Sequence, residues 1–186
     1  MLSFETSRLL LRDITASDIP DIHELHSLPE TDQYNTMGIP EDIRVTHNLV
    51  HSRLSLREAV PRTTYIFAIV LKESRQVVGL FGMLLAAPKK KSAEVWYKLH
   101  KAYWRRGYTS EALDRLLQFA FEELALHRVT AGCAVANTGS IRVLEKAGML
   151  REGHCRKVLP IRGQWVDSYE YALLEEEYFA RKSSGS

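Results

Sequence analysis

The chain is poor in the residues that staple, stretch or anchor a protein. Its two cysteines, Cys133 and Cys155, make neither a metal-spaced pair nor a disulfide framework, so reduced thiols in structural positions are expected. Ten glycines and six prolines in 186 residues exclude a collagen-like or linker-rich chain. The longest apolar run, Val77 to Ala87, is far short of the roughly 20 residues a membrane-spanning helix needs. Met1 to Leu10 lacks a basic start followed by an apolar stretch, so no secretory signal is expected. Charge of one sign is also missing. Lys and Arg number 25 against 23 Asp and Glu, a net +2 that supplies no field for nucleic acid. The run Lys89-Lys90-Lys91 reads as a solvated loop. His23 and His26 are spaced i, i+3 to share a helix face, and they read as a surface pair rather than a metal site. There is no G-x-x-x-x-G-K-[ST] and no G-x-G-x-x-G after a strand, which disfavours P-loop and dinucleotide chemistry. The expectation is a cytoplasmic protein with no nucleic acid, no membrane and no metal.

What remains is an ordinary globular composition, 45% apolar and 26% charged. A chain of this length folds as one domain and can bury roughly 70% of its unfolded surface. We assign that domain to residues 1–182 and read 183–186 as a disordered tail or cloning remnant. Arg8 to Arg12 is suited to a strand, and Ser17-Asp18 opens a helix bearing Ile19, Ile22 and Leu25. Leu28 to Pro40 reads as loop and Glu41 to Ala59 as a loosely periodic helix. Thr64 to Leu71, Val77 to Ala87 and Ser92 to Leu99 form an antiparallel meander. The second run is apolar at nearly every position, so both its faces are covered, and Gly79 and Gly82 suggest bulges or close backbone approach. The 3.6-residue spacing of Ala112, Leu113, Leu116, Leu117, Ala120, Phe121 and Leu124 predicts the strongest helix. Arg128 to Val135 is a strand, Ser140 to Ala147 a short helix stopping at Gly148. Cys155 to Leu159 and Gln164 to Leu173 are strands joined at Arg162-Gly163.

Trp104-Arg105-Arg106-Gly107-Tyr108-Thr109-Ser110-Glu111-Ala112 lies between a strand and that helix. A turn there leaves backbone N–H groups unpaired at the positive end of a helix dipole, a ready anion site. Gly107 admits a ligand without a Cβ, and Arg105 and Arg106 add positive charge for phosphate oxygens.

Taken with Glu94-Val95-Trp96-Tyr97 and Asn137-Thr138-Gly139-Ser140 to Met149, this stretch resembles the GNAT superfamily of acyl-CoA-dependent N-acyltransferases. The resemblance is nearest the branch of the ribosomal-protein N-terminal (Rim-type) acetyltransferases. It runs from Glu5-Thr6-Ser7-Arg8-Leu9-Leu10-Leu11-Arg12 to Gly163-Gln164-Trp165-Val166-Asp167 and Tyr171-Ala172-Leu173-Leu174. It implies an α/β fold: a mixed, strongly twisted sheet of about six to seven strands flanked by helices, with the cofactor at a splay between two strands. It also implies transfer of an acetyl group from acetyl-CoA to a primary amine in a ternary complex. By resemblance, Trp104, Arg105, Arg106, Gly107, Tyr108, Thr109 and Ser110 would wrap the diphosphate. Tyr97 and Leu99 would line the pantetheine arm, Asn137 would hold it through its amide, and Arg142 would assist with phosphates.

Three positions depart from the branch. Arg105 stands where it usually has glycine, and Thr109 where it prefers alanine or glycine. Trp96 replaces a usual small residue and reshapes the acceptor pocket. Glu94 is the candidate general base, directly or through water, and Ser140 the donor to the departing sulfur. A backbone N–H near Leu99 would steady the oxyanion. His100 is a weaker acid–base alternative. Tyr34, Trp96 and Asp167 are assigned to the acceptor. Glu30, Asp32, Glu41 and Asp42 form an acidic rim that would draw in a cationic amine. A free lysine amine titrates near about 10.4 and an α-amine near about 7.7–8.0, so a protein N-terminus is the easier acceptor to deprotonate. A polyamine, amino sugar or antibiotic amine, a succinyl donor, and a non-catalytic CoA-binding module stay as alternatives. Either a monomer or a homodimer is compatible with the chain.

Overall fold

The computed structural model describes residues 1–184. These form one mixed sheet of eight strands, in the order β1-β2-β3-β4-β5-β6-β8-β7, flanked by six α-helices. The strands are β1 (Ser3–Glu5), β2 (Leu9–Asp13), β3 (Thr64–Leu71), β4 (Val77–Leu85), β5 (Ser92–Leu99), β6 (Arg128–Ala134), β7 (Leu150–Ile161) and β8 (Gln164–Leu174). The helices are α1 (Ile19–Ser27), α2 (Pro29–Asp32), α3 (Ile43–Arg57), α4 (Tyr108–Gln118), α5 (Thr138–Lys146) and α6 (Glu175–Ser184). β1 exceeds the expected strand count because three residues carry no readable periodicity. The one-turn α2 falls in the stretch read as loop, and α6 takes in Ser183 and Ser184, which read as tail; 185 and 186 lie outside the described residues.

Alternation along the strands builds two cores. Tyr65, Phe67 and Ile69 of β3 join Ala93, Val95 and Leu99 of β5 and the apolar stripe of α4 on one face. Ile66, Ala68 and Val70 join Ile22 and Leu25 of α1 and Val50 of α3 on the other. This is why β4 is apolar throughout. His26 of α1 is buried at 4% exposure, and His23 Nδ1 sits 2.9 Å from the Thr46 hydroxyl. The expected surface pair is therefore part of the α1–α3 packing, turned inward because both rings follow the apolar stripe of α1. Cys133 is buried, but Cys155 lies exposed on the outer strand β7.

The feature that positions a ligand is the contact between β5 and β6. They pair in parallel through Ser92–Arg128, Ala93–Val129 and Glu94–Thr130, and no further. β5 stays paired to β4 as far as Leu99, and β6 stays paired to β8 as far as Ala134. The sheet therefore opens into a wedge just past Glu94 and Thr130.

Candidate active site

β5 meets β4 antiparallel, and such pairing bonds alternate residues. His100 N–H donates to the Val78 carbonyl and Ala86 N–H to the Ser92 carbonyl, each over 2.8 Å. Even-numbered positions of β5 thus spend their backbone groups on β4. The groups of Val95, Tyr97 and Leu99 turn to the opposite edge, which borders the wedge. The Trp104 indole N–H takes the Leu99 carbonyl at 2.7 Å, leaving the Leu99 N–H facing the opening. Trp104 thereby fixes the mouth of the wedge. That edge suits an extended, amide-containing chain.

At the mouth of the wedge lies the turn before α4. Arg105 is left-handed at φ 60 and Gly107 at φ 81, flanking Arg106. Left-handed residues in such a turn converge backbone N–H groups into an anion-binding concavity. No side chain caps α4, so its first-turn N–H groups, on Tyr108, Thr109 and Ser110, add to that concavity. Arg105 occupies a backbone conformation that favours glycine, where the resembled branch has glycine. Arg105 and Arg106 are both exposed, and the Arg106 guanidinium lies 5.6 Å from the Tyr103 ring centroid. A Cβ at Gly107 would meet only Arg8 Nη2, at 3.4 Å, so positive φ, more than crowding, calls for glycine there.

Residues from the far N-terminus brace this turn. Glu111 accepts hydrogen bonds from the Thr6 hydroxyl (2.5 Å), the Ser7 hydroxyl (3.1 Å), Arg8 N–H (2.8 Å) and Arg8 Nε (2.7 Å). Arg8 Nη1 donates to the Arg106 carbonyl at 2.9 Å. The Glu5–Arg12 and Trp104–Ala112 motifs are thus one structural unit.

Across the wedge, Asn137 caps α5. Its side-chain oxygen accepts from Ser140 N–H at 3.1 Å, which leaves the amide NH2 to donate to a ligand. Ser140 Oγ lies 2.7 Å from the Tyr97 hydroxyl. This ties α5 to β5 through two hydroxyls on the α4 face of the sheet. Burial raises the Tyr97 phenol above its ordinary value, so it remains protonated and able to donate. Cys133 beside them is pushed up to about 11 by burial and is no nucleophile. Arg142 is exposed on α5, two residues past Ser140.

The opposite face of β5 carries Glu94, Trp96 and Lys98, toward α1 and α3. Glu94 is exposed and occupies the last paired position before the wedge. Trp96 lies against Gly82, where a Cβ would come 2.1 Å from the indole. The glycine in β4 makes the room that the large residue in β5 needs.

The acceptor candidates already hold partners within the chain. Asp167 accepts from Lys157 N–H (3.0 Å) and contacts His154 Nε2 (2.7 Å). Both carboxylate oxygens are used to pin β7 to β8, because a shift in register between Cys155 and Leu159 leaves a free N–H beside them. Tyr34 is half-buried and only receives Gln33 Nε2, at 3.2 Å. The acidic rim is largely matched: Glu30 by Lys101 (2.5 Å), Asp42 by Arg44 (2.6 Å) and buried Asp32 by Arg162 (3.2 Å). Sequence reasoning missed Arg162 and Lys98, which stand near Asp32, and Arg53, which stands near Lys98 and Trp96. The one available signal was a lysine at the inward-facing end of the Glu94-Trp96-Lys98 alternation.

Among the described residues no helix is long and apolar enough to cross a membrane, and no group of three or more His, Cys, Asp or Glu is placed to hold a metal ion. The cradle, the open β5 edge and the Asn137 amide together fit a nucleotide diphosphate joined to a peptide-like arm.

Comparison with known proteins agrees with that geometry. Residues 8–150 match the family model described as an acetyltransferase (GNAT) domain. A probable N-acetyltransferase of Bacillus subtilis, YjcK, is 34% identical over 164 residues, covering 87% of this chain and 85% of its own. Two solved structures share the fold. The RimL ribosomal L7/L12 α-N-protein acetyltransferase in complex with coenzyme A has TM-score 0.85 at 19% identity, over 95% of this chain and 99% of its own. The spermidine N-acetyltransferase of Vibrio cholerae in complex with CoA and spermine has TM-score 0.82 at 21% identity, over 94% and 99%. With its wedge, its cradle and this match over most of its length, the chain belongs to the GNAT acetyltransferase family, as an acetyl-CoA-dependent N-acetyltransferase.

Proposed function

We propose that the enzyme acetylates an α-amine by direct attack in a ternary complex, with Glu94 as base and Ser140 as acid. The observation that carries this is the placement of two proton-handling groups on opposite faces of β5 beside the wedge. Glu94 stands on one face at its apex, and the Tyr97–Ser140 hydroxyl pair, 2.7 Å apart, on the other. Bound acetyl-CoA supplies an acyl group activated as a thioester. The acceptor nitrogen forms the new N–C bond as the C–S bond breaks. Glu94 takes the surplus amine proton directly or through one water. Ser140 Oγ, held by the Tyr97 hydroxyl, gives a proton to the leaving sulfur and regains one from solvent as Glu94 releases its own, so CoA departs as the thiol and Tyr97 keeps its proton. The exposed edge N–H groups of β5 hold the pantetheine arm, and the Leu99 N–H is aimed to steady negative charge on the carbonyl oxygen. The concavity at Arg105–Ser110 and the Asn137 amide orient the donor.

An α-amine suits this arrangement because it loses its proton about 2.5 pH units below a lysine side chain, within reach of a single carboxylate. Thiol release from acetyl-CoA, measured over a panel of α-amines, lysine side-chain amines, polyamines and amino sugars, tests the reading. Fastest release with α-amines is expected. Uniform release from lysine side chains, or faster release with succinyl-CoA than with acetyl-CoA, would overturn it.

A further inference from the structure

Four buried side-chain polar atoms among the described residues have no hydrogen-bond partner, and three stand in one neighbourhood: Lys98 Nζ, Arg53 Nη1 and Asp32 Oδ1. Lys98, 9% exposed, is on the Trp96 face of β5, and it feels the charges of both Asp32 and Arg53. The Arg53 guanidinium, from α3, lies 5.2 Å from the Trp96 ring centroid. Asp32, at the end of α2, is 3% exposed. Its other oxygen receives Arg162 Nε at 3.2 Å. His26, packed into the same region, is depressed to about 3 by burial and by the charges of Lys98 and Arg53, so it is neutral at physiological pH.

The charges here do not balance. Lys98 stands near the half-buried Arg53, and the one buried carboxylate near Lys98, Asp32, is already half engaged by the half-exposed Arg162. Lys98 is brought down to about 8 by burial, which still leaves it mostly protonated at neutral pH. An uncompensated buried cation is strongly destabilising unless a counter-charge meets it. Among the described residues the neighbouring acids are turned elsewhere: Glu24 faces His100 and Glu30 faces Lys101. Glu94 lies four residues up the strand, roughly 13 Å at about 3.3 Å per residue. The complement must come from outside the chain.

We infer that Lys98 and Arg53 form an anion subsite within the acceptor pocket, and that the acceptor is a small amine carrying its own carboxylate or phosphate. Its nitrogen sits toward Glu94 and its anion toward Lys98 and Arg53, with Trp96 between them. This rests on the reading above that the Glu94–Trp96–Lys98 face is the acceptor side. It adds a selectivity that the α-amine preference alone does not carry: a polycation such as spermidine would bring a second positive charge into an already cationic pocket.

The test uses matched α-amine pairs differing only in the anion: glutamate against glutamine, aspartate against asparagine, phosphoserine against serine, with spermidine as the cationic extreme. Two readouts are taken, CoA release and calorimetric binding to the enzyme–CoA complex. The anionic member of at least one pair is expected to exceed its neutral partner tenfold or more in kcat/KM, and Lys98→Met and Arg53→Met each to cut that ratio at least fivefold. The carboxylate and phosphate pairs separate the two sources of the anion. Arg53 sits on a different element from Lys98, so either variant decides if the other fails to fold. Spermidine or the neutral amines preferred, or a ratio unmoved in both variants, overturns the subsite. Preferential binding of anionic amines without CoA release sustains the subsite while overturning the acceptor reading. An acidic peptide bound in place of every small amine overturns the size assignment.

Discussion

Arg8 grips the start of α4 from two sides, its Nη2 2.6 Å from Glu111 Oε2 and its Nη1 donating to the Arg106 carbonyl. The diphosphate cradle is therefore held by a segment more than a hundred residues away in sequence. Burial alone would raise the Glu111 carboxyl, but hydrogen bonds from Thr6, Arg8 and Ser7 outweigh it and hold it below its ordinary value. A carboxyl depressed on folding stabilises the fold above its unfolded pKa, and that contribution fades as pH falls through the folded value. Glu111→Gln should destabilise by about 1–3 kcal/mol at pH 7 and weaken CoA binding roughly tenfold. The stability difference from the parent should shrink below about pH 4. Thermal melts from pH 3 to 8 and CoA calorimetry check both; equal CoA affinity would detach the brace from the cradle.

At the cradle itself, Arg105 and Gly107 should respond oppositely. Arg105→Gly relieves a left-handed non-glycine residue and should leave the melting temperature equal or slightly higher. It should also weaken CoA binding and flatten its salt dependence, since one cation is lost. Gly107→Val forces a β-branched residue to positive φ, a genuine outlier, and should abolish measurable CoA binding. Salt titrations of CoA affinity separate the two effects.

Glu94→Gln should lower kcat at least tenfold while CoA affinity stays the same. General-base catalysis typically contributes about 10²–10⁴-fold, so a turnover equal to the parent's excludes Glu94 as base.

Ser140→Ala and Tyr97→Phe disrupt one hydrogen-bonded pair. Each should slow the single-turnover rate by about three- to thirtyfold, and the double variant should be no slower than Ser140→Ala alone, because groups acting as one unit are not additive. Additive losses would mean that the two hydroxyls act separately.

His26 sets an acid limit on stability. Its folded pKa of about 3 lies below the ordinary 6.5, so between these values the unfolded chain binds a proton that the folded chain does not. Stability should fall as pH drops below about 6.5, by up to about 1.4 kcal/mol per pH unit from this group. In His26→Phe that slope should be visibly shallower in denaturant titrations at pH 5 to 7; an identical slope would assign the acid sensitivity elsewhere.

Local patterns were legible from sequence where the physics is local. The stripe of α4, the β3–β4 hairpin and the loop before α4 are set by residues within a few positions of one another. The Arg8–Glu111 clasp was not legible as a contact, although both its motifs were, because nothing local links residue 8 to residue 111. The partners of Asp167 and Asp32 were not legible for one reason: a carboxylate looks free until a group distant in sequence arrives beside it, here His154 and Arg162. Lys98 escaped because a polar residue alternating along a strand suggests solvent, and only the packing of α1 to α3 turns that face inward.

The three residue pairs joining β5 to β6 leave this protein with two half-sheets that share one short seam. Whatever occupies the opening beyond Glu94 and Thr130 does more than react there, since it supplies the missing rung between them. Donor binding should consequently slow amide hydrogen exchange at Val95, Tyr97 and Leu99 and stiffen the molecule across its middle, so that the substrate serves as a temporary ninth strand.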